Sequence, residues 1–183
     1  MDRVAIFLDG AYLDFGLRDE FGAARLDFHR LAQTLAGGRE ILRTYYYHCL
    51  PYQSDPPTQQ EAERFGRMQS FVGQLKRLPR FEVRLGKLAF RGTGDDGRPI
   101  FVQKRVDIML GVDLVQLSTK RLISTAVLVA GDSDFLPAVQ IAREEGVLVH
   151  LYHFTVHQPH RELWDACDER TAVNQQLIDS VRR

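Results

Sequence analysis

The 183-residue sequence predicts a three-layer α/β/α sandwich around a mainly parallel central sheet. Three observations carry this. The strand-like segments are short continuous apolar runs rather than strict alternations, as expected of strands buried on both faces. They alternate with segments of helical periodicity. Most end at Gly, Pro or Asp, the residues that turn a chain out of a sheet.

"VAIFL" (4 to 8) reads as a central strand ending at Asp9-Gly10. "DFHRLAQTLAGG" reads as a helix capped by Asp27, with Phe28, Leu31 and Leu35 on one face and Gly37 as its stop. "EILRTYYYHCL" (40 to 50) is a second strand, whose Tyr45, Tyr46 and Tyr47 alternate across it. Asp55-Pro56-Pro57 starts a long helix with Phe65, Met68, Val72 and Leu75 as its buried stripe and Pro79 as its end. "RFEVRLGKLAF" (80 to 90) is a third strand, and "RGTGDDGRP" a hairpin tip or flap. "IFVQ" leads into a helix over 104 to 118; "VLVA" (127 to 130) is a buried strand, and a helix covers 135 to 145. "VLVHLYHF" (147 to 154) is the last strand expected, before one or two closing helices. The expectation is one domain over 1–183, with a motif-bearing core at 4–154 and a helical closure at 158–183.

An apolar fraction of 44% and a charged fraction of 26% suit a globular protein. No apolar run approaches the roughly 20 residues a bilayer span needs. The N-terminus lacks the pattern of a signal peptide, and two cysteines make no disulfide framework, so a reduced, cytoplasmic setting is expected. Net charge is zero, so any polyanion contact must be local. Residues 76 to 105 hold nine basic residues, among them Arg84, Lys87, Arg91, Lys104 and Arg105, against three acids, a segment suited to seating a phosphate backbone.

"VLVAGDSDFLP" poses the chemical question, because Asp132 and Asp134 stand where a hydrophobic strand leaves the core. In open parallel sheets ligands gather beyond the carboxyl ends of the strands. Asp9 lies at another such end. Asp107 shares a helical face with Leu110, Gly111 and Leu114, one turn from the start of a mostly apolar helix. Each aspartate alone could be a turn former or cap. Together they would repel unless a cation sat among them, and the hard oxygen donors suit Mg²⁺ or Mn²⁺. Such an ion would serve phosphodiester hydrolysis. Asp113 lies about 120° around the helix and roughly 9 Å along it from Asp107, which suits a supporting or structural role. His153, His157, His160 and Cys167 match no zinc spacing.

"IFLDGAYL", "YYY", "QKRVDIMLGVDL" and "AVLVAGDSDFLPAVQIAREEGVLVHLY" resemble, in order, the blocks of the NYN domain family of PIN-like nucleases. The resemblance implies a PIN-like, Rossmann-like sandwich and a ribonuclease dependent on Mg²⁺ or Mn²⁺. It implies Asp9, Asp107 and Asp132 as metal ligands and Asp134 as a further ligand or water-orienting group. Ser133 would support a phosphate or an acid, and Lys104 would contact phosphate. The expected partner is RNA, single-stranded or structured, with no membrane; self-association is left open. Two positions depart from the family pattern: Tyr12 stands where asparagine is usual, and Arg105 replaces the glycine of "KGVD". Tyr12 could stack on a base or cover the site. The alternatives are a weak or inactive RNA-binding or scaffolding module on the same fold and a haloacid-dehalogenase-like phosphatase. The latter needs a second acid where Ala11 stands.

Overall fold

The structure is a computed structural model that describes residues 2–183. Seven strands form one sheet: β1 (Arg3–Asp9), β2 (Glu40–Cys49), β3 (Phe81–Thr93), β4 (Pro99–Lys104), β5 (Thr125–Val129), β6 (Leu148–His153) and β7 (Glu169–Ala172). Their order is β4-β3-β2-β1-β5-β6-β7, and only β3 and β4 run antiparallel. The chain fills one side of β1 with β2, β3 and β4, then crosses to the other side for β5, β6 and β7. The reversal falls between β1 and β5.

Side chains alternate between two apolar layers. Val4, Ile6 and Leu8 of β1 and Val127 and Val129 of β5 face one layer, and Ala5, Phe7, Ala126 and Leu128 face the other. The first layer is covered by α1 (Gly10–Phe21), α2 (Phe28–Ala36), α3 (Gln59–Leu75) and α7 (Gln175–Val181). The second is covered by α4 (Val106–Thr119), α5 (Leu136–Glu144) and α6 (Arg161–Ala166). Every residue of β5 is buried, which explains why all but Thr125 are apolar. Tyr45, Tyr46 and Tyr47 are all buried, so none offers a stacking face to solvent.

Four local expectations are corrected. The long helix begins at Gln59, because Thr58 and Glu61 form a capping box that outcompetes Pro56-Pro57 as the start, and it ends at Leu75, before Pro79. "IFVQ" belongs to β4, which pairs back on β3 and makes "RGTGDDGRP" the hairpin tip. The segment 10 to 21, with no element expected, forms α1, capped by Asp9. The closure is not purely helical: β7 lies between α6 and α7 and adds a polar edge strand beside β6. No helix among the described residues is long and apolar enough to cross a membrane.

Candidate active site

Asp9 is the last residue of β1 and the N-cap of α1. Its Oδ1 accepts the backbone N–H groups of Ala11 (3.1 Å) and Tyr12 (3.2 Å). Oδ2 has no hydrogen-bond partner among the described residues. Helix α1 can start this abruptly because residue 10 is glycine: a Cβ there would lie 2.6 Å from the His48 ring and 2.7 Å from that of Tyr46. Asp132 follows the neighbouring strand and caps a 3₁₀ turn, Ser133–Phe135, by accepting Asp134 N–H at 3.1 Å. Gly131 before it meets a similar constraint, since a Cβ would sit 2.5 Å from the Tyr12 ring. Both aspartates therefore do the capping work a structural reading assigns them, and both stand at the reversal of strand order where α/β sheets bind ligands.

Asp107 enters from α4, in the first turn of that helix, its carboxylate accepting only from its own backbone N–H among the described residues. Burial raises its pKa, and the charges of Asp132 and Asp134 raise it further. Burial also pushes Asp9 up to about 6, against the lowering effect of the Tyr12 N–H, with Asp107 adding to the rise. Asp107 thus lies within electrostatic reach of both strand-end segments. Their oxygens are the hard donors that Mg²⁺ and Mn²⁺ prefer. Among the described residues, however, no three His, Cys, Asp or Glu side chains are drawn close enough to hold an ion as they stand. The acids match a divalent cation in donor chemistry, but as they stand they form no chelating group.

The other candidate residues go several ways. Tyr12 does not present its ring as a stacking surface. Its hydroxyl donates to His157 C=O (2.7 Å) and accepts Phe154 N–H (3.0 Å), and its ring packs edge-on to Phe154. It is a tie between α1 and the segment after β6, and burial pushes its phenol up to about 12. Ser133 Oγ lies 3.0 Å from His160 Nδ1. Asp113 is buried on α4 and accepts from Tyr47 Oη (2.8 Å) and Arg84 Nε (3.2 Å). Arg84 also pairs with Glu82 at 3.1 Å, so this cation is committed within the fold, unlike Lys87, Arg91, Lys104 and Arg105. Lys104 ends β4 opposite Lys87. Arg105 holds φ at 77°, in the left-handed region that glycine enters freely, which explains why a "KGVD" pattern would suit this joint.

His48 was not legible as a site residue. It ends up beside the crevice because β2 flanks β1; its Nε2 pairs with Asp14 at 2.9 Å, and its charge lowers the pKa of Asp9. No motif spacing links positions 9, 14 and 48. His153, His157 and His160 disperse, to Trp164, Asp19 and Ser133 respectively.

A seven-stranded, mostly parallel sheet with carboxylates at its switch point defines a PIN-like α/β protein. The profile of the NYN domain family matches residues 3–174, nearly the whole chain, and the chain belongs to that family. A solved structure of a protein of unknown function from Vibrio parahaemolyticus RIMD 2210633 superposes with a TM-score of 0.63 at 18% identity, covering 100% of this chain and 96% of that one, and supports the fold. The uncharacterized protein y4oD of Sinorhizobium fredii is 49% identical over 49 residues, a stretch that spans 27% of this chain and 23% of that protein.

Proposed function

We propose that the chain is a ribonuclease dependent on Mg²⁺ or Mn²⁺, with the ion held at the switch point by Asp9, Asp107 and Asp132. Family membership supports a nuclease-type activity. The observation that carries the reading is the placement of the acids: Asp9 ends β1 and Asp132 follows the neighbouring β5 at the reversal of strand order, and Asp107 opens α4 within reach of their charge, its pKa raised by burial and then by Asp132 and Asp134. Capping accounts for Asp9 and Asp132 singly; bringing them near Asp107 adds repulsion and desolvation that a bound cation would offset.

When bound, a divalent ion supplies an acidified water and a Lewis acid for the phosphoryl oxygens. The chain's own residues do the rest. The α1 N-terminus fixes Asp9 through Oδ1, so the carboxylate would hold an ion with its orientation already set. Asp134, next to the Asp132 cap, completes the ligand set or orients water. Ser133, braced by His160, keeps this turn in place. Lys87, Arg91, Lys104 and Arg105, which form no ion pairs among the described residues, seat the RNA backbone.

The test is labelled single-stranded RNA incubated with Mn²⁺ or Mg²⁺, or with EDTA, beside the Asp9→Asn variant. Cleavage that needs metal, vanishes in the variant and leaves 5′-phosphate and 3′-hydroxyl ends supports the reading. Ends carrying 2′,3′-cyclic phosphate report attack by the RNA's own 2′-hydroxyl and refute it. A second reading, an RNA-binding module with weak or no activity, is favoured by the separation of the acids. It predicts binding without cleavage in the same assay.

A further inference from the structure

The outer half of the β3–β4 hairpin, with Tyr52 from the loop after β2, carries partly exposed aromatic surface. Tyr52, Phe90 and Phe101 form a cluster with ring centroids 5.0 Å (Tyr52–Phe101), 5.9 Å (Phe90–Phe101) and 6.3 Å (Tyr52–Phe90) apart, all mutually tilted. Phe90 is 50% exposed and Tyr52 38%. Phe90 pairs with Phe101 across the hairpin, and two residues nearer its base Leu88 pairs with Gln103, so the four side chains share one face.

That face leads inward to a cavity of about 520 Å³, within the roughly 300–1,000 Å³ usual for small-ligand sites. Leu88 and Gln103 line it from the hairpin, Arg64, Arg67 and Met68 from α3, and His48 from β2. Arg64 and Arg67 form no ion pair among the described residues; the nearby acid, Asp14, is paired with His48. His48 in turn lies against Gly10, the residue that follows Asp9. The aromatic cluster thus adjoins the cationic cavity through Leu88 and Gln103, and His48 of that cavity lies beside the residue next to Asp9.

We infer that Tyr52, Phe90 and Phe101, together with Arg64 and Arg67, form a binding site for single-stranded RNA entering or leaving the carboxylate crevice; this rests on the ribonuclease reading only in taking RNA as the polymer. Ring faces stack on unpaired bases of any sequence, while guanidinium groups take the phosphates between them. A duplex hides its base faces and cannot use the platform. The chemistry favours RNA over a second copy of the chain. β4 is an edge strand, but it begins at Pro99 and ends at Lys104, two residues that discourage pairing with another strand.

The experiment measures anisotropy of a labelled unstructured oligoribonucleotide and of a blunt RNA duplex, both in Ca²⁺ or EDTA to prevent turnover. The proteins are wild type, Phe90→Ala/Phe101→Ala, Phe90→Tyr, and Arg64→Gln/Arg67→Gln. The double alanine variant is expected to bind single strands at least about tenfold more weakly with an unchanged salt slope, and duplex as wild type does. Phe90→Tyr should retain single-strand affinity. The glutamine variant should flatten the salt slope by about 0.7 per lost phosphate contact. Unchanged single-strand binding in the double alanine variant overturns the inference. So does equal weakening for duplex, or a wild-type dimer that this variant dissociates in sedimentation. The nuclease reading fails separately: a wild type that binds at the platform but never cleaves removes the enzyme and keeps the site, whereas cleavage with an unaltered KM in the alanine variant removes the site and keeps the enzyme.

Discussion

Asp9→Asn should make the metal-free protein more stable while abolishing its response to Mn²⁺. Asparagine retains the oxygen that accepts the Ala11 and Tyr12 N–H groups, so the α1 cap survives. What disappears is a carboxylate whose pKa the fold raises from 3.8 to about 6. A raised carboxyl contributes stability that is fully present below the unfolded value and is lost as pH climbs through the folded one. The interval is about two pH units, which at about 1.4 kcal/mol per unit sets a ceiling of roughly 3 kcal/mol. In EDTA, wild type should therefore lose stability between about pH 4 and pH 6, and the variant should lack that part of the slope. At about pH 7.5 the variant should melt higher, by up to roughly 6–12 °C at that ceiling, given about 2–4 °C per kcal/mol for a chain of this size. Mn²⁺ at a hundred times its Kd should then restore about 2.7 kcal/mol to wild type and nothing to the variant. Urea denaturation across pH, with and without Mn²⁺, reads all of this. A variant less stable than wild type near neutral pH in EDTA would refute the reasoning, because the carboxylate would then be a stabilising cap and not a strained member of a charge cluster.

Three further outcomes follow from the same geometry. Arg105→Gly should stabilise the chain by about 1 kcal/mol in urea denaturation by relieving the positive φ; an unchanged midpoint would show that the left-handed joint is unstrained. Asp113→Ala should cost about 2–3 kcal/mol, since it leaves the buried Tyr47 hydroxyl without its acceptor and frees Arg84, while Mn²⁺ affinity by calorimetry stays as in wild type. Tyr12→Phe should cost about 1–2 kcal/mol by leaving the Phe154 N–H unpartnered, and should raise amide hydrogen exchange around residues 154 to 157; an unaltered exchange pattern would mean that water replaces the hydroxyl at no cost.

The parts of the fold legible in the sequence were those in which local pattern and burial agree. β1 and β5 are wholly or almost wholly buried apolar runs, so their sequences leave little choice, and the acids that follow them are placed by the strands themselves. β7 was invisible because "ERTA" has no apolar pattern: it is a four-residue edge strand held by pairing with β6 rather than by burial. β4 was hidden because its register depends on β3, a non-local partner, and its exposed Ile100 and Val102 mimic the apolar residues of a core segment. Helix α1 was missed since its charges and glycines weaken the helical period, and packing against β1 and β2 supplies what the pattern lacks. Of the candidate site, the places of Asp9, Asp132 and Asp134 after strands and of Asp107 at a helix start could be read from position alone. Two features could not: His48, which only the parallel pairing of β1 with β2 brings to Asp9, and the commitment of Arg84 to Asp113, which joins residues 29 positions apart.

A single residue separates the end of β4 from the start of α4. Lys104 closes the hairpin, Arg105 turns the chain, and Val106 and Asp107 open the helix. A Cβ on Gly86 of β3 would collide with the Lys104 carbonyl oxygen and lie 2.7 Å from the Val106 side chain, so hairpin and helix are packed together at this joint. With no loop between them, the register of β4 on β3 sets where α4, and with it Asp107, begins.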